Sequence, residues 1–500
     1  MKFVAYSDHD HIFIAPIHYA PPKEQWCTPP TAISKLPSFE TPLLNLQFPY
    51  SHDLQTTLSG KQLLLSELSF DLDHIHHHYI HGYLAYHAGI TTEKGRTYCQ
   101  RCGNDDPQLF ATYRCARCDD MCTYCRNCLM LGRVSECTPL VRWCGPELKL
   151  HPPQKLLTWT GELSTGQARA SQAIREAVGS GCELLIWAVC GAGKTEVLFS
   201  GIEAALRQGQ AVAIATPRTD VVIELAPRLR SVFPDVGVIA LYGGSEDRGK
   251  QGQLVIATTH QLMRYREQFD FVVIDEVDAF PYSVDQSLTY AVSNAKKPQA
   301  TTVYLTATPS PELKRRVRKD ELAAIKIPRR YHGHPLPVPR FCWSGNWQKR
   351  LKKGKLPSIV RKWVEEKLAD NKQAFLFVPS VEALQRLVDV LQKIDSRIIG
   401  VHAEDEERRE KVASFREGRT PILVTTTILE RGVTVANTDV AVLGAEEAIF
   451  TESALVQISG RVGRSANHPR GDVLFFHYGK TKAMVEARAH IVAMNDAEVR

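Results

Sequence analysis

The sequence predicts an α/β protein: two tandem doubly wound lobes preceded by a cysteine-rich module. Short apolar strands alternate with helical stretches over about residues 161–325 and again over 356–480, the pattern of parallel sheets covered by helices. Seven of the 13 cysteines fall between Cys99 and Cys128. At 500 residues the chain is too long for one core, and about three domains are expected. With 44% hydrophobic and 23% charged residues it is not a largely disordered polymer. A net charge of +6 is too small to name a partner. No apolar run approaches the roughly 18 residues of a membrane helix. The N-terminus carries His and Asp where a signal peptide needs an apolar stretch, so a soluble, intracellular chain is expected.

In chain order, residues 1–95 show no legible chemistry beyond a short helix at Leu63–Leu72 and a histidine tract, His74, His76, His77, His78 and His81, which could bind a metal but reads rather as a solvated polar segment, its spacing matching no closed site. A cysteine module covers 96–145, with Cys99/Cys102, Cys115/Cys118, Cys122/Cys125 and Cys128. Clustered thiols in a reducing compartment read as metal ligands, and two C-x-x-C knuckles can close a tetrahedral Zn²⁺ site. A second zinc, completed by Cys137 or a histidine, stays open. A linker follows at 146–160, with His151-Pro-Pro.

The first lobe, 161–325, offers strands at Leu184–Val189, Ala211–Ala215, Leu254–Ala257, Phe271–Ile274 and Thr302–Leu305. A connector at 326–355 belongs to a basic stretch, Glu312–Lys355, holding 14 Lys or Arg against three Asp or Glu. Its clusters are Lys314, Arg315, Arg316, Arg318 and Lys319, then Lys349, Arg350, Lys352, Lys353 and Lys355; they read as solvated faces or as nucleic-acid contacts. The second lobe, 356–480, has strands at Ala374–Val378, Ile422–Thr425, Val440–Leu443 and Val473–Phe476, and a C-terminal helix takes 481–500.

Three strings carry chemistry. Ala188-Val-Cys-Gly-Ala-Gly-Lys194-Thr195 lies between an apolar strand and a helix, as a phosphate loop requires. Gly191, Ala192 and Gly193 would turn backbone N–H groups onto the phosphates of ATP, Lys194 would reach the β- and γ-phosphates, and Thr195 would ligate Mg²⁺. Phe271-Val-Val-Ile-Asp275-Glu276 ends a strand in two carboxylates, one expected on each side of the pleat. Asp275 suits Mg²⁺ through water, and Glu276 suits deprotonation of the attacking water. In Gln457-Ile-Ser-Gly460-Arg461-Val-Gly463-Arg464, the arginines Arg461 and Arg464 lie a helical turn apart and fit the arginine-finger role at a γ-phosphate.

Taken in order, AVCGAGKT, ATPRTDV, ATTHQL, DEVD, TAT, VTTTILERGVTV and QISGRVGRS resemble superfamily-two helicases and translocases. The resemblance implies two RecA-like lobes and assigns Gln167 to adenine and Gln457 to the nucleotide. It also assigns Thr216, Pro217, Arg218, Thr258, Thr259 and Thr425–Thr427 to DNA backbone contact, with Lys352 and Lys353 added by their charge. AVCGAGKTE, DEVDAFPY, TTILERGVT and QISGRVGRS, with CQRC and CRNCLMLGR ahead of them, are more closely similar to ComFA, the late competence ATPases of transformable Gram-positive bacteria. That likeness implies an ATPase stimulated by single-stranded DNA, cytoplasmic or peripheral at the inner face of the membrane. It implies ComFC as partner, with DprA and the channel ComEC beside it, and leaves monomer or oligomer open. It also implies Cys99, Cys102, Cys125 and Cys128 as the zinc ligands. A PriA-like replication-restart helicase competes within the class, but its paired cysteines lie inside the motor. A zinc-ribbon DNA-binding adaptor with an inactive motor competes from outside it, against the presence of Lys194, Thr195, Asp275, Glu276, Arg461 and Arg464.

Overall fold

A computed structural model describes residues 1–148, 156–429 and 435–497. The linker residues 149–155, residues 430–434 of the VTTTILERGVTV string and residues 498–500 of the expected C-terminal helix lie outside the described residues. The chain divides into two compact units. The first comprises Met1–Trp159, Glu176–Glu183 and Ile202–Val303; the second comprises Thr160–Arg175, Leu184–Gly201 and Tyr304–Arg500.

In the first unit, the N-terminal region and the end of the cysteine module are built together. The strand Pro139–Trp143 pairs antiparallel with Gln62–Leu64 on one side and Leu84–Ala88 on the other. Its core is aromatic, with Phe3, Tyr79, Tyr83, Tyr86 and Trp143 packed around Leu54, Ile75 and Val141. The expected helix at Leu63–Leu72 is not formed. Leu63 and Leu64 pair with Val141 and Leu140, partners some 75 residues away that no local periodicity reveals, and the helix starts only at Leu72.

That helix, Leu72–Ile80, carries most of the histidine tract, which is only partly solvated: His74 and His77 are exposed. His76 and His78 are buried. His76 lies against the rings of Tyr79 and Tyr86, and burial pushes its pKa down to about 4. His78 Nδ1 donates to the His74 carbonyl and Nε2 accepts the Ser51 N–H, both at 2.8 Å, so neither nitrogen is left for a metal.

Four parallel strands complete the first unit, in the order Val238–Leu241, Leu254–Thr258, Val212–Thr216, Phe269–Asp275. In the second unit, Glu183–Ala188 pairs parallel with Ala323–Ile327. The same unit contains a six-stranded, all-parallel sheet ordered Arg340–Trp343, Val473–His477, Asp439–Leu443, Ala374–Phe377, Ile422–Thr425, Ile399–Val401. The helices Trp347–Lys352, Ser358–Ala369 and Val381–Leu391 bury Trp347, Leu351, Val360, Trp363, Leu384 and Leu387 in its core. Part of the expected connector therefore folds as the edge strand and first helix of the second lobe. The C-terminal helix is Lys482–Asp496.

Candidate nucleotide and nucleic-acid sites

In the second unit, the strand Glu183–Ala188 runs into the phosphate loop, and the helix Lys194–Arg207 starts directly after it. The loop turns through Gly191 at φ +79° and Gly193 at φ +68°. Its positive φ favours glycine at Gly193, and a Cβ there would lie 2.3 Å from Gln167 Nε2 and push that side chain off the loop. Lys194 and Thr195 occupy the first helical turn, where unpaired N–H groups and the helix dipole favour anions. Gln167, buried on the helix Thr165–Ala177, spends its amide on the loop. Nε2 donates to the carbonyls of Ala192 and Gly193 at 2.9 and 3.4 Å, while Oε1 accepts the Ser164 N–H at 2.8 Å.

The same unit brings the Gln457–Arg464 segment against this loop. The Cys190 thiol donates to Gln457 Oε1 at 3.0 Å. Gly460 caps the helix Glu452–Ser459 so closely that a Cβ there would stand 2.4 Å from Cys190 Cβ. Arg461 is buried, and Arg464 Nε donates to the Gly460 carbonyl at 3.1 Å. The start of that helix is held from elsewhere in the unit. Thr308 Oγ1 meets Ser453 Oγ at 2.8 Å, and Glu452 accepts His490 Nδ1 at 2.8 Å and pairs with Lys314 at 3.3 Å. These partners, His490 first, keep the Glu452 carboxyl below its usual pKa.

Arg330 is a site residue that no motif pointed to, since it sat unremarked in the basic stretch. It follows the strand Ala323–Ile327 and is 1% exposed. Its Nη1 donates to the Gly463 carbonyl, whereas among the described residues Nε and Nη2 have no partner. Its Cγ and Cδ lie 3.8 Å from where a Cβ on Gly191 would be, and the Tyr331 N–H donates to the Gly191 carbonyl at 3.0 Å. Burial, then the nearby Arg464, pushes its pKa down to about 10. A desolvated cation with two donors unused among the described residues, next to the phosphate-loop Gly191, suits a phosphate anion. The glycine cradle, the helix N-terminus and Arg330 together fit ATP.

In the first unit, the other expected residues gather at the carboxyl ends of adjacent parallel strands, where ligands of such sheets bind. Thr216 and Thr258 face each other in register, and Thr259 follows. All three are buried, and among the described residues the hydroxyls of Thr216 and Thr259 have no hydrogen-bond partner. Arg218 pairs with Asp220 at 3.2 Å. Asp275 ends the next strand and accepts the Glu276 N–H at 2.9 Å. Glu276 does not continue the pleat. Its φ of +53° is left-handed, so the two carboxylates are separated by a backbone turn and not by strand alternation.

In the second unit, Thr425 ends its strand with its hydroxyl donating to the Val401 carbonyl at 3.0 Å, and Thr426 beside it is half-buried. On the helix Trp347–Lys352, the buried Trp347 and Leu351 leave Lys349, Arg350 and Lys352 exposed, with Lys353 and Lys355 following. Among the described residues none of these five forms an ion pair. Lys314 pairs with Glu452, and Arg315 and Lys319 both face Glu321 at 3.9 Å. The second cluster is thus the freer of the two.

The structure gathers Cys99, Cys102, Cys125 and Cys128 in the first unit, all buried, with one sulfur from each within 4.8 Å of the others. Cys99–Cys128 and Cys102–Cys125 are both 3.7 Å apart. A tetrahedron with Zn–S bonds of about 2.3 Å has S···S edges of about 3.8 Å, so the donors fit one Zn²⁺ and leave no open position. Asn127 Nδ2 donates to Cys102 Sγ at 3.7 Å.

Known proteins give a consistent picture. The family model described as the competence protein ComFA N-terminal domain matches residues 45–142, that of DEAD/DEAH box helicases 165–316, and that of the helicase conserved C-terminal domain 355–466. The competence protein ComFA of Bacillus subtilis (strain 168) is 51% identical over 447 residues, covering 89% of this chain and 96% of its own. The competence protein ComFA of Streptococcus pneumoniae is 37% identical over 405 residues, covering 81% of this chain and 91% of its own. Among solved structures, the Mycobacterium smegmatis helicase Lhr bound to ssDNA and AMP-PNP shares the fold at a TM-score of 0.50 and 19% identity, over 67% of this chain and 49% of that one.

Proposed function

Because the chain belongs to the ComFA family of competence proteins, we propose that it is a single-stranded-DNA-stimulated ATPase that draws transforming DNA into the cytoplasm. It is an ATP-hydrolysing superfamily-two helicase or translocase that uses ATP with Mg²⁺ and binds nucleic acid. What supports the finer reading is the meeting of the phosphate loop with the arginine segment inside one unit, Cys190 on Gln457 and Gly460. A motor needs hydrolysis felt by its second lobe, and this contact runs from the loop that holds phosphate to the segment that carries Arg461 and Arg464.

In this reading Lys194 neutralises the β- and γ-phosphates, and Thr195 and Asp275 hold the Mg²⁺ that screens them. Glu276 takes the proton as water oxygen attacks the γ-phosphorus and ADP leaves. Arg461 and Arg464 stabilise the charge that builds on the transferred group, with Arg330 beside them. Thr216, Arg218, Thr258, Thr259, Thr425 and Thr426 track a DNA backbone without reading bases, as transport of any sequence requires. Zn²⁺ in the Cys99–Cys128 tetrad folds the module and catalyses nothing.

ComFC as a direct partner, with DprA and ComEC beyond it, follows from the family alone. Among the described residues no helix is long and apolar enough to cross a membrane, which suits work at the cytoplasmic face. ATP turnover measured with single-stranded, double-stranded and no DNA tests the reading. Stimulation by single strands well above duplex is expected; equal turnover in all three would overturn it.

A further inference from the structure

We propose that the protein binds a second structural Zn²⁺ through Cys115, Cys118, Cys122 and Cys137. One sulfur from each lies within 4.8 Å of the others, and all four residues are at most 2% exposed. Cys115 and Cys137 Sγ are 3.7 Å apart. That is far beyond the roughly 2.05 Å of a disulfide and close to the roughly 3.8 Å edge of a Zn–S₄ tetrahedron. The set is also too tight for a multi-iron cluster, whose thiolates stand around several metal atoms.

The strand geometry explains why the two tetrads sort as they do. Phe110–Cys115 and Asp120–Cys125 form a hairpin in which Tyr113 faces Cys122 and Phe110 faces Cys125. Cys115 lies two residues from Tyr113, so it shares a face with Cys122. Cys125 lies three residues from Cys122 and points the other way. One hairpin therefore hands Cys115 and Cys122 to one site and Cys125 to the other. The apparent knuckle Cys122-x-x-Cys125 is split between them. Cys118 sits in the hairpin turn, and Cys137 arrives just before the strand Pro139–Trp143.

Donors surround the sulfurs as they do around bound thiolates. The Tyr113 hydroxyl donates to Cys115 Sγ at 3.3 Å, and Ser135 Oγ is 3.7 Å from Cys137 Sγ. The Arg133 guanidinium lies 4.9 Å from the Tyr113 ring centre, a cation beside what four thiolates and Zn²⁺ would make a doubly negative site. The hydrophobic cluster here consists of the four cysteines and Ala32, with Tyr113 at its margin. Such a cluster has too little apolar area to hold a hairpin, and a metal supplies what is missing.

The site also ties the N-terminal region to the hairpin. Besides Ala32 in the cluster, the Ser34 N–H donates to the Glu136 carbonyl at 3.1 Å, Lys35 pairs with Asp120 at 3.1 Å, and the Met1 amine donates to the Arg117 carbonyl at 2.6 Å.

The proposal is independent of what the motor acts on. Its test is metal content of the full chain by elemental analysis and native mass spectrometry, after purification without chelator. Two zinc ions per chain are expected, falling to one in Cys115→Ser/Cys137→Ser and to one in Cys99→Ser/Cys128→Ser. One zinc in the unaltered protein, iron in place of the second zinc, or two zincs surviving in Cys115→Ser/Cys137→Ser would each overturn it. The count on the unaltered chain decides the matter even if a variant fails to fold.

Discussion

Cys190 and Gln457 stand 267 positions apart in sequence and 3.0 Å apart in space, thiol against amide oxygen. The contact is made by the one phosphate-loop residue between Val189 and Gly191, and it fixes where Gly460 must lie. Gly460→Ala would place a methyl 2.4 Å from Cys190 Cβ, inside any tolerable contact. Overpacking of this kind costs about 1–3 kcal/mol, and here it falls on the loop proposed to hold phosphate. ATP turnover should drop at least tenfold and Tm should fall. Cys190→Gly added to Gly460→Ala removes the opposing Cβ and should restore part of both. No recovery would mean the contact is not what Gly460→Ala breaks.

Lys194→Ala and Glu276→Gln should both abolish hydrolysis by different routes. Loss of Lys194 takes a cation from the phosphates, so ATP binding itself should weaken. Glu276→Gln keeps size and polarity but removes the base, so ATP should bind and stay unhydrolysed. Equilibrium binding of labelled ATP beside single-turnover hydrolysis separates the two. Unchanged turnover in Glu276→Gln would end the assignment of that residue as base.

Arg330 is buried, with Nε and Nη2 unpartnered among the described residues and with Arg464 nearby, an arrangement that costs energy until an anion arrives. Arg330→Met removes that cost and the anion contact together. The nucleotide-free protein should be as stable as the original or more so, while the rise in Tm on adding ATP analogue with Mg²⁺ should shrink. An undiminished rise would remove Arg330 from the nucleotide site.

Much of this was legible in the sequence, for identifiable reasons. The interior strands Phe269–Asp275 and Ile422–Thr425 carry the apolar runs Phe271–Ile274 and Ile422–Val424 that the sequence displays. Val238–Leu241, Arg340–Trp343 and Ile399–Val401 are edge strands that pair on one side only, and the sequence alone did not single them out. The phosphate loop is a local string whose glycines do local work, so Gly191 and Gly193 could be placed in advance. Arg330 and the Cys190–Gln457 contact depend on where distant segments meet, and no spacing encodes that. The cysteines fall between these cases. Spacing suggests knuckles, but only the hairpin register shows that Cys122 and Cys125 face opposite ways.

Binding to single-stranded DNA should be electrostatic and nearly blind to sequence. The unpaired cluster Lys349, Arg350, Lys352, Lys353 and Lys355 can release counterions on meeting phosphates, so affinity should fall steeply between about 50 and 200 mM salt. Neutralising the five together should flatten the plot of log affinity against log salt while leaving the DNA-free ATPase in place. An unchanged slope would return the cluster to a solvated face.

Acid should loosen the N-terminal core through His76. Burial lowers its folded-state pKa to about 4, whereas in the unfolded chain it titrates near the ordinary value of about 6.5. Asp73, which raises the pKa, and His77, which lowers it, are the charged neighbours, and both are outweighed by burial. Between those two values the unfolded chain binds the proton and the folded one does not, so stability falls as pH falls. The full contribution is present above about pH 6.5 and gone below about pH 4, and the loss from pH 7 to pH 5 should be about 2 kcal/mol. Urea unfolding followed by fluorescence of the Trp143 region should show that loss in the original protein and a smaller one in His76→Phe, whose ring can still stack on Tyr79 and Tyr86. Comparing the two proteins at each pH cancels any acid sensitivity of the thiolate sites, which both share. Equal pH dependence in the two would show that His76 is not the group responsible.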